Sequence, residues 1–320
     1  MSEAEQVEVA EKQQPKGPVD FTDRTFELNE TYVEDMFEEM RRENRVSKYF
    51  IRHQPLNYLN KKVLDYIFTM CTRLRLPPDV RFTAALIFDK YMSRQTAQAH
   101  HFIDTLELTQ EQKDQQWDKT QCNIIRQLVL RLASCIQIAS KENKFDDSLS
   151  NEAVTKMLVA VGSPYHPQAI LKSELRVLST IDYTIPQSPA PYMENILKVL
   201  ANSDRALKHC NEVWDHALLF LDMTFAYQRQ ITNEFNCQLN EDAPPNKERK
   251  AVQVMGDWML VGSACIVCGL GCVHGMEVAD QKAIVLGDIT KIDEQHIVQL
   301  ASTIMKTVRA ERQRSAVSTP

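Results

Sequence analysis

The sequence, 320 residues long, predicts an all-α fold on three observations. Residues 128–142, LVLRLASCIQIASKE, have helical composition yet are apolar on nearly every side. A surface helix keeps a polar face, so a helix apolar all round must be enclosed by other helices. Elsewhere apolar residues recur at helical spacing, while the chain holds only eight glycines and few alternating β-branched runs.

Taken in order, residues 1–27 lack periodicity and contain Pro15, Gly17 and Pro18, which predicts a disordered lead. Asn29 then stands as an N-cap for a helix with Tyr32, Val33, Met36, Phe37 and Met40 at helical spacing. After Pro55 a second helix is expected from Tyr58 to Leu74, with Val63, Leu64, Ile67, Phe68, Cys71 and Leu74 inward. Pro77-Pro78 stops it and starts a third, Asp79 to Ser93, with Phe82, Ala85, Leu86 and Phe88 inward. Residues 94–125 are polar and Gln-rich, with His100, His101 and an isolated Trp117, and read as an insertion before the central helix. A short helix over Asn151 to Val161 is stopped by Gly162-Ser163-Pro164. The next, His166 to Ile181, carries Ile170, Leu171, Leu175, Leu178 and Ile181 as its predicted apolar stripe.

Pro186, Pro189 and Pro191 make the best boundary. Five helices are expected beyond it, near 191–201, 205–230, 251–272, 278–288 and 293–309, with a polar loop at 236–249 and a flexible tail over 311–320. Two groups of five helices with similar lengths predict a duplicated unit. The domains are then 28–185 and 186–310.

The net charge of −6 argues against a protein that grips DNA electrostatically, so no direct specific DNA binding is expected. The N-terminal stretch is acidic and polar, so no secretory signal is expected. The eight cysteines mostly sit in apolar helical patterns and read as buried thiols of a reducing compartment. Cys265, Cys268, Cys272 and His274 have a spacing that invites zinc. Yet they lie in the apolar helical run WMLVGSACIVCGLGCVHG with the three cysteines on one helical face, so small buried side chains are the better reading. That run is short and glycine-broken, which disfavours a membrane span. Its glycines are each unfavourable in a helix by roughly 1 kcal/mol against Ala, which close approach by neighbouring helices would offset. Neither a nucleophile–base arrangement nor a phosphate-cradling glycine loop appears, so the chain reads as non-enzymatic, without metal or cofactor.

Four segments carry a resemblance. YVEDMFEEMRREN resembles the helix preceding a cyclin box, and NKKVLDYIFTMCTRLRLPPDVRFTAALIFDKYMS resembles the first two box helices. LVLRLASCIQIASKE resembles the third, and ILKSELRVLSTIDYTIPQSPAPYM the fifth with its exit into a second repeat. The implied fold is two tandem cyclin-box-like five-helix repeats, the second degenerate, behind an N-terminal helix. An insertion ending QQWDKTQCNIIRQLVLRLASCIQIASK is similar to the divergent meiotic cyclin-like family, the cyclin N-terminal domain-containing proteins that mark crossover sites. This implies a nuclear protein on meiotic chromosomes, promoting crossover maturation with recombination proteins and a cyclin-dependent kinase. Two other readings remain: a scaffold that keeps the fold without activating a kinase, and a conventional cell-cycle or transcriptional cyclin.

Position by position, Lys141 and Glu174 match the lysine and glutamate by which cyclins hold their kinase's activating helix. An ammonium can satisfy orphan carbonyls while a carboxylate accepts N–H groups. Leu130 matches an apolar position of that interface, and Glu142 stands on its altered rim, where Asn143 and Lys144 follow. Asp89 matches an aspartate whose arginine partner is replaced by Asn60; the resemblance leaves Asn60 or Lys61 to bond it. Tyr66 stands where cyclins have Trp, and Lys62 where an apolar residue is expected, which weakens substrate docking. Ser163, Ser188 and Thr319 each precede proline and fit the minimal pattern for proline-directed phosphorylation, Thr319 in the tail being the most accessible.

Overall fold

A computed structural model of the chain describes residues 30–143, 148–204, 207, 210–241 and 253–317, and among them it holds thirteen α-helices and no strand. The first seven are α1 (Glu30–His53), α2 (Lys61–Arg73), α3 (Pro78–Thr105), α4 (Gln110–Arg126), α5 (Leu128–Asn143), α6 (Asn151–Ala160) and α7 (Pro167–Thr180). The remaining six are α8 (Pro189–Ser203), α9 (Cys210–Ala226), α10 (Gln228–Glu241), α11 (Trp258–Val273), α12 (Met276–Thr290) and α13 (Glu294–Val317).

The all-round apolarity of α5 has the expected outcome. Leu130 and every residue from Leu132 to Ser140 are buried, and α2, α3, α4, α6 and α7 pack around the helix. A second bundle is built about α11, buried from Trp258 to Leu270 and surrounded by α8, α9, α12 and α13, with α1 also laid against it. Here the glycine argument holds at one position in particular. A Cβ on Gly269 would stand 2.6 Å from the Val213 carbonyl oxygen, so only glycine lets α9 approach this closely. Gly256, at φ +97° just before the N-cap Asp257, is held against Ile51 of α1.

Several expectations need correction. The insertion 94–125 is a helical hairpin: α3 runs on to Thr105, and α4 starts at a capping box in which Thr109 accepts from the Gln112 amide. No residue of α4 is buried, so polarity masked a helix built on capping and on helix-forming Gln, Lys and Asp-Gln pairs. His100 of α3 stacks on Trp117 of α4 with ring centroids 3.6 Å apart, joining the two arms. The helix expected at 205–230 breaks at Tyr227 into α9 and α10, and α10 continues to Glu241 through the start of the expected loop. The next helix begins at Trp258, seven residues later than expected. The tail expected from 311 continues α13 to Val317, with Arg314 paired to Glu311 one turn away. Of the stripe expected for α7, Ile170 and Ile181 are buried and Leu178 packs against the core, but Leu171 and Leu175 are exposed, and Ser173, Glu174, Val177 and Thr180 take buried positions. The predicted lead 1–27, the cap Asn29 and the tail site Thr319 lie outside the described residues.

Candidate partner-binding rim

Small hydroxyl side chains bring α5 and α7 together. Ser134 and Ser173 share a hydrogen bond of 2.7 Å in the core, and Arg131 donates to Ser173 at 2.7 Å. About two turns beyond Ser134 on α5, Lys141 meets Glu174, the residue after Ser173 on α7, Nζ to Oε1 at 2.5 Å. Their side chains are 39% and 9% exposed, so the carboxylate is sheltered while the ammonium reaches the surface. Below them Ser140 accepts from the Leu149 amide at 2.9 Å, and Gln137 donates to Asn151 at 2.8 Å, which fixes where the chain returns into α6. The pair is therefore set on a rigid corner. Exposed Leu171 and Leu175 flank Glu174 on α7, and Glu142 is exposed beside Lys141. This corner offers one surface cation, a sheltered acceptor and two apolar side chains.

Leu130 is not part of it. At 5% exposure it belongs to the core, because α5 turns that side toward its enclosing helices. Asn143, next to Glu142, turns inward and donates to Asp79 at 3.0 Å. Ser188 is likewise buried; it caps α8 by accepting from the Ala190 amide, and it also helps hold down the Asp79 carboxyl that burial raises. That makes it a structural serine rather than an accessible acceptor of phosphate. Ser163 is half-buried in the turn after α6.

Asp89 finds its partners where the sequence did not place them. The Tyr58 amide donates to it at 2.7 Å, the Asn57 and Leu59 amides bond it too, and Arg229 of α10 contributes charge. Burial pushes its carboxyl up to about 6 against the pull of those amides. Asn60 does not make the expected bond to Asp89; its side chain accepts from the Val63 amide at 3.1 Å and caps α2. Lys61 reaches across to the Tyr227 hydroxyl at 3.3 Å. Tyr66 is half-buried with its hydroxyl shielded and unbonded, so burial raises its pKa, and Lys62 is exposed.

Contacts between the two bundles were invisible to local patterns. Arg81 of α3 pairs with Asp222 of α9 at 2.8 Å, and Arg229 donates to the Asn57 carbonyl. Asn44 and Lys48 of α1 both bond the Asp257 carboxylate that caps α11. Each partner lies more than a hundred residues away, so only the assembled fold shows them. Cys265 and Cys268 are fully buried and their thiols raised, Cys265 to about 12, chiefly by burial. Among the described residues no cluster of His, Cys, Asp and Glu is arranged to hold a metal, and no single helix is long and apolar enough to cross a membrane.

Comparison with known proteins assigns the first bundle. Residues 32–186 match the family described as cyclin, N-terminal domain. This segment is a cyclin N-terminal domain. The chain is also similar to the mouse protein named cyclin N-terminal domain-containing protein 1, at 24% identity over 253 residues, covering 78% of this chain and 75% of the relative. The human protein of the same name is 24% identical over 247 residues, covering 76% and 74%. The matched segment takes in α1 to α7.

Proposed function

We propose that this protein is a non-enzymatic cyclin-type regulator that binds a cyclin-dependent kinase through the Lys141–Glu174 corner and acts at designated meiotic crossover sites. The corner carries the reading. An ammonium at the end of an enclosed helix, a sheltered carboxylate and the exposed Leu171 and Leu175 fit a partner helix that offers orphan backbone groups and an apolar face. The second bundle, 186–310 with its continuation in α13, serves as a degenerate cyclin-like repeat behind the box. The meiotic role rests on the insertion, with Trp117 and the segment leading into α5, and on similarity to cyclin N-terminal domain-containing proteins. Nuclear localisation and recombination proteins as partners follow from that role.

A kinase-independent scaffold is the second reading, and one observation favours it. Lys141 already holds Glu174, so engaging a kinase requires the pair to share its charges with the partner. Co-expression with cyclin-dependent kinases, followed by co-purification and phosphorylation assays, separates the two. Lys141→Ala with Glu174→Ala should reduce kinase recovery and activity at least tenfold while helix content stays unchanged. Unchanged recovery from the double variant would exclude this mechanism, and no recovery from the parent would favour the scaffold.

A further inference from the structure

Away from the Lys141–Glu174 corner, an open cleft of about 290 Å³ lies between α1, the middle of α3 and the link 184–187. That is close to the roughly 300 Å³ at which ligand clefts begin. Its wall on α1 runs from Arg42 to Ile51, about 14 Å of helix at 1.5 Å per residue. The lining is mainly apolar: Val46 and Phe50 form the rim, about half exposed, and Leu86, Ile185 and Trp258 lie among the inner residues. An elongated cleft with an apolar floor and one open side suits a chain segment inserting side chains at intervals better than a compact metabolite.

Charge decides the rest. Four charged residues line the cleft, and three have partners of their own. Arg42 pairs with Glu39 and lies within reach of the Glu43 charge, while Asp89 is held by three backbone amides. Lys90 differs. Its ammonium donates to the neutral Thr184 carbonyl at 2.7 Å and stands 6.0 Å from the Phe50 ring centre, beside Arg94, which is itself paired with Asp182. Burial and the Arg94 charge lower its pKa to about 8 against the pull of Asp182, and no carboxylate among the described residues forms an ion pair with it.

We infer that this cleft is a second docking site, for a short segment of a partner protein that places apolar side chains between Val46, Phe50 and Ile185 and a carboxylate against Lys90. The carboxylate gives Lys90, now bonded only to the neutral Thr184 carbonyl, an ion-pair partner. The apolar side chains cover surface that α1 and the link leave open.

The test uses the full chain. Phage-displayed random twelve-residue peptides are selected against it, and enriched sequences are synthesised with a fluorescein label for polarisation titrations. Enriched peptides should combine Leu, Ile, Phe or Trp with Asp or Glu. Their affinity should fall at least tenfold on Val46→Asp and on Lys90→Met, and stay within threefold on Lys90→Arg, with helix content unchanged in all three. No enrichment, peptides without an acidic residue, or binding that Val46→Asp and Lys90→Met leave intact would overturn the assignment. Kinase recovery should survive both of these variants; its loss would make the cleft part of the kinase interface and likewise refute a separate site.

Discussion

Asp89 shows how far one residue's chemistry depends on chain remote from it. Its carboxylate takes three amides from the turn before α2, yet lies deep enough for burial to win and raise its pKa from 3.8 to about 6. The folded chain therefore binds this proton more tightly than the unfolded chain. The resulting stability is complete below about pH 3.8 and is lost as pH rises through about 6, at most about 3 kcal/mol between those limits. Urea unfolding at pH 7.5 and 5.5 should show the parent gaining stability toward the lower pH, and Asp89→Asn, which cannot titrate, gaining less. Equal gains would mean that Asp89 does not carry the effect. The sequence pointed to Asp89 through the cyclin resemblance but gave it the wrong partners. Asn60 precedes α2 at the position where an Asn side chain best accepts an N3 amide, and that local use prevails over a bond to α3.

At the level of helices, legibility followed burial. α5 and α11 are enclosed on all sides, so their uninterrupted apolar sequence announced them and set their depth. α7 was found and Ile170 and Ile181 face inward as expected, but two of its leucines were wrongly assumed to do the same. Leu171 and Leu175 sit outside, while small Ser173 faces the core and lets α5 come close. α4 was missed altogether, since a helix with no buried residue has no apolar period to read. The glycines of α11 give this scale its test. Gly→Ala in a helix ordinarily stabilises by up to about 1 kcal/mol. At Gly271 the obstacle to a Cβ is the end of the flexible Met276 side chain, so Gly271→Ala should be near neutral. At Gly269 the obstacle is the Val213 carbonyl, which moves only with α9, so Gly269→Ala should cost about 2 kcal/mol. Thermal and urea unfolding of the two variants would show it, and equal effects would refute the close approach of α9 to α11.

Over the whole molecule, the two bundles hold each other through polar contacts that sit on an apolar seam. α3 packs against α8, α1 lies on α11, and Gln228 donates to the Leu59 carbonyl from inside the junction. Near the centre of this seam, Arg81 reaches Asp222 with its guanidinium 4.9 Å from the Phe82 ring centre and 5.7 Å from that of Phe68. Both charges are largely removed from water, and burial raises Asp222 to about 6 despite Arg81. In such a pair, losing one partner is worse than losing both, because the remaining charge stays buried without compensation. Asp222→Ala should therefore destabilise by about 3 kcal/mol, leaving the guanidinium between two aromatic rings. Arg81→Met combined with Asp222→Leu should recover most of that loss, since similar volumes refill the seam without a charge to desolvate. A double-mutant cycle by urea unfolding measures the difference. If the double variant falls as far as Asp222→Ala alone, packing of these two side chains rather than their charge holds the seam. Because the pair joins the bundles, the single variant should also expose the seam to protease before the cores of α5 and α11 open.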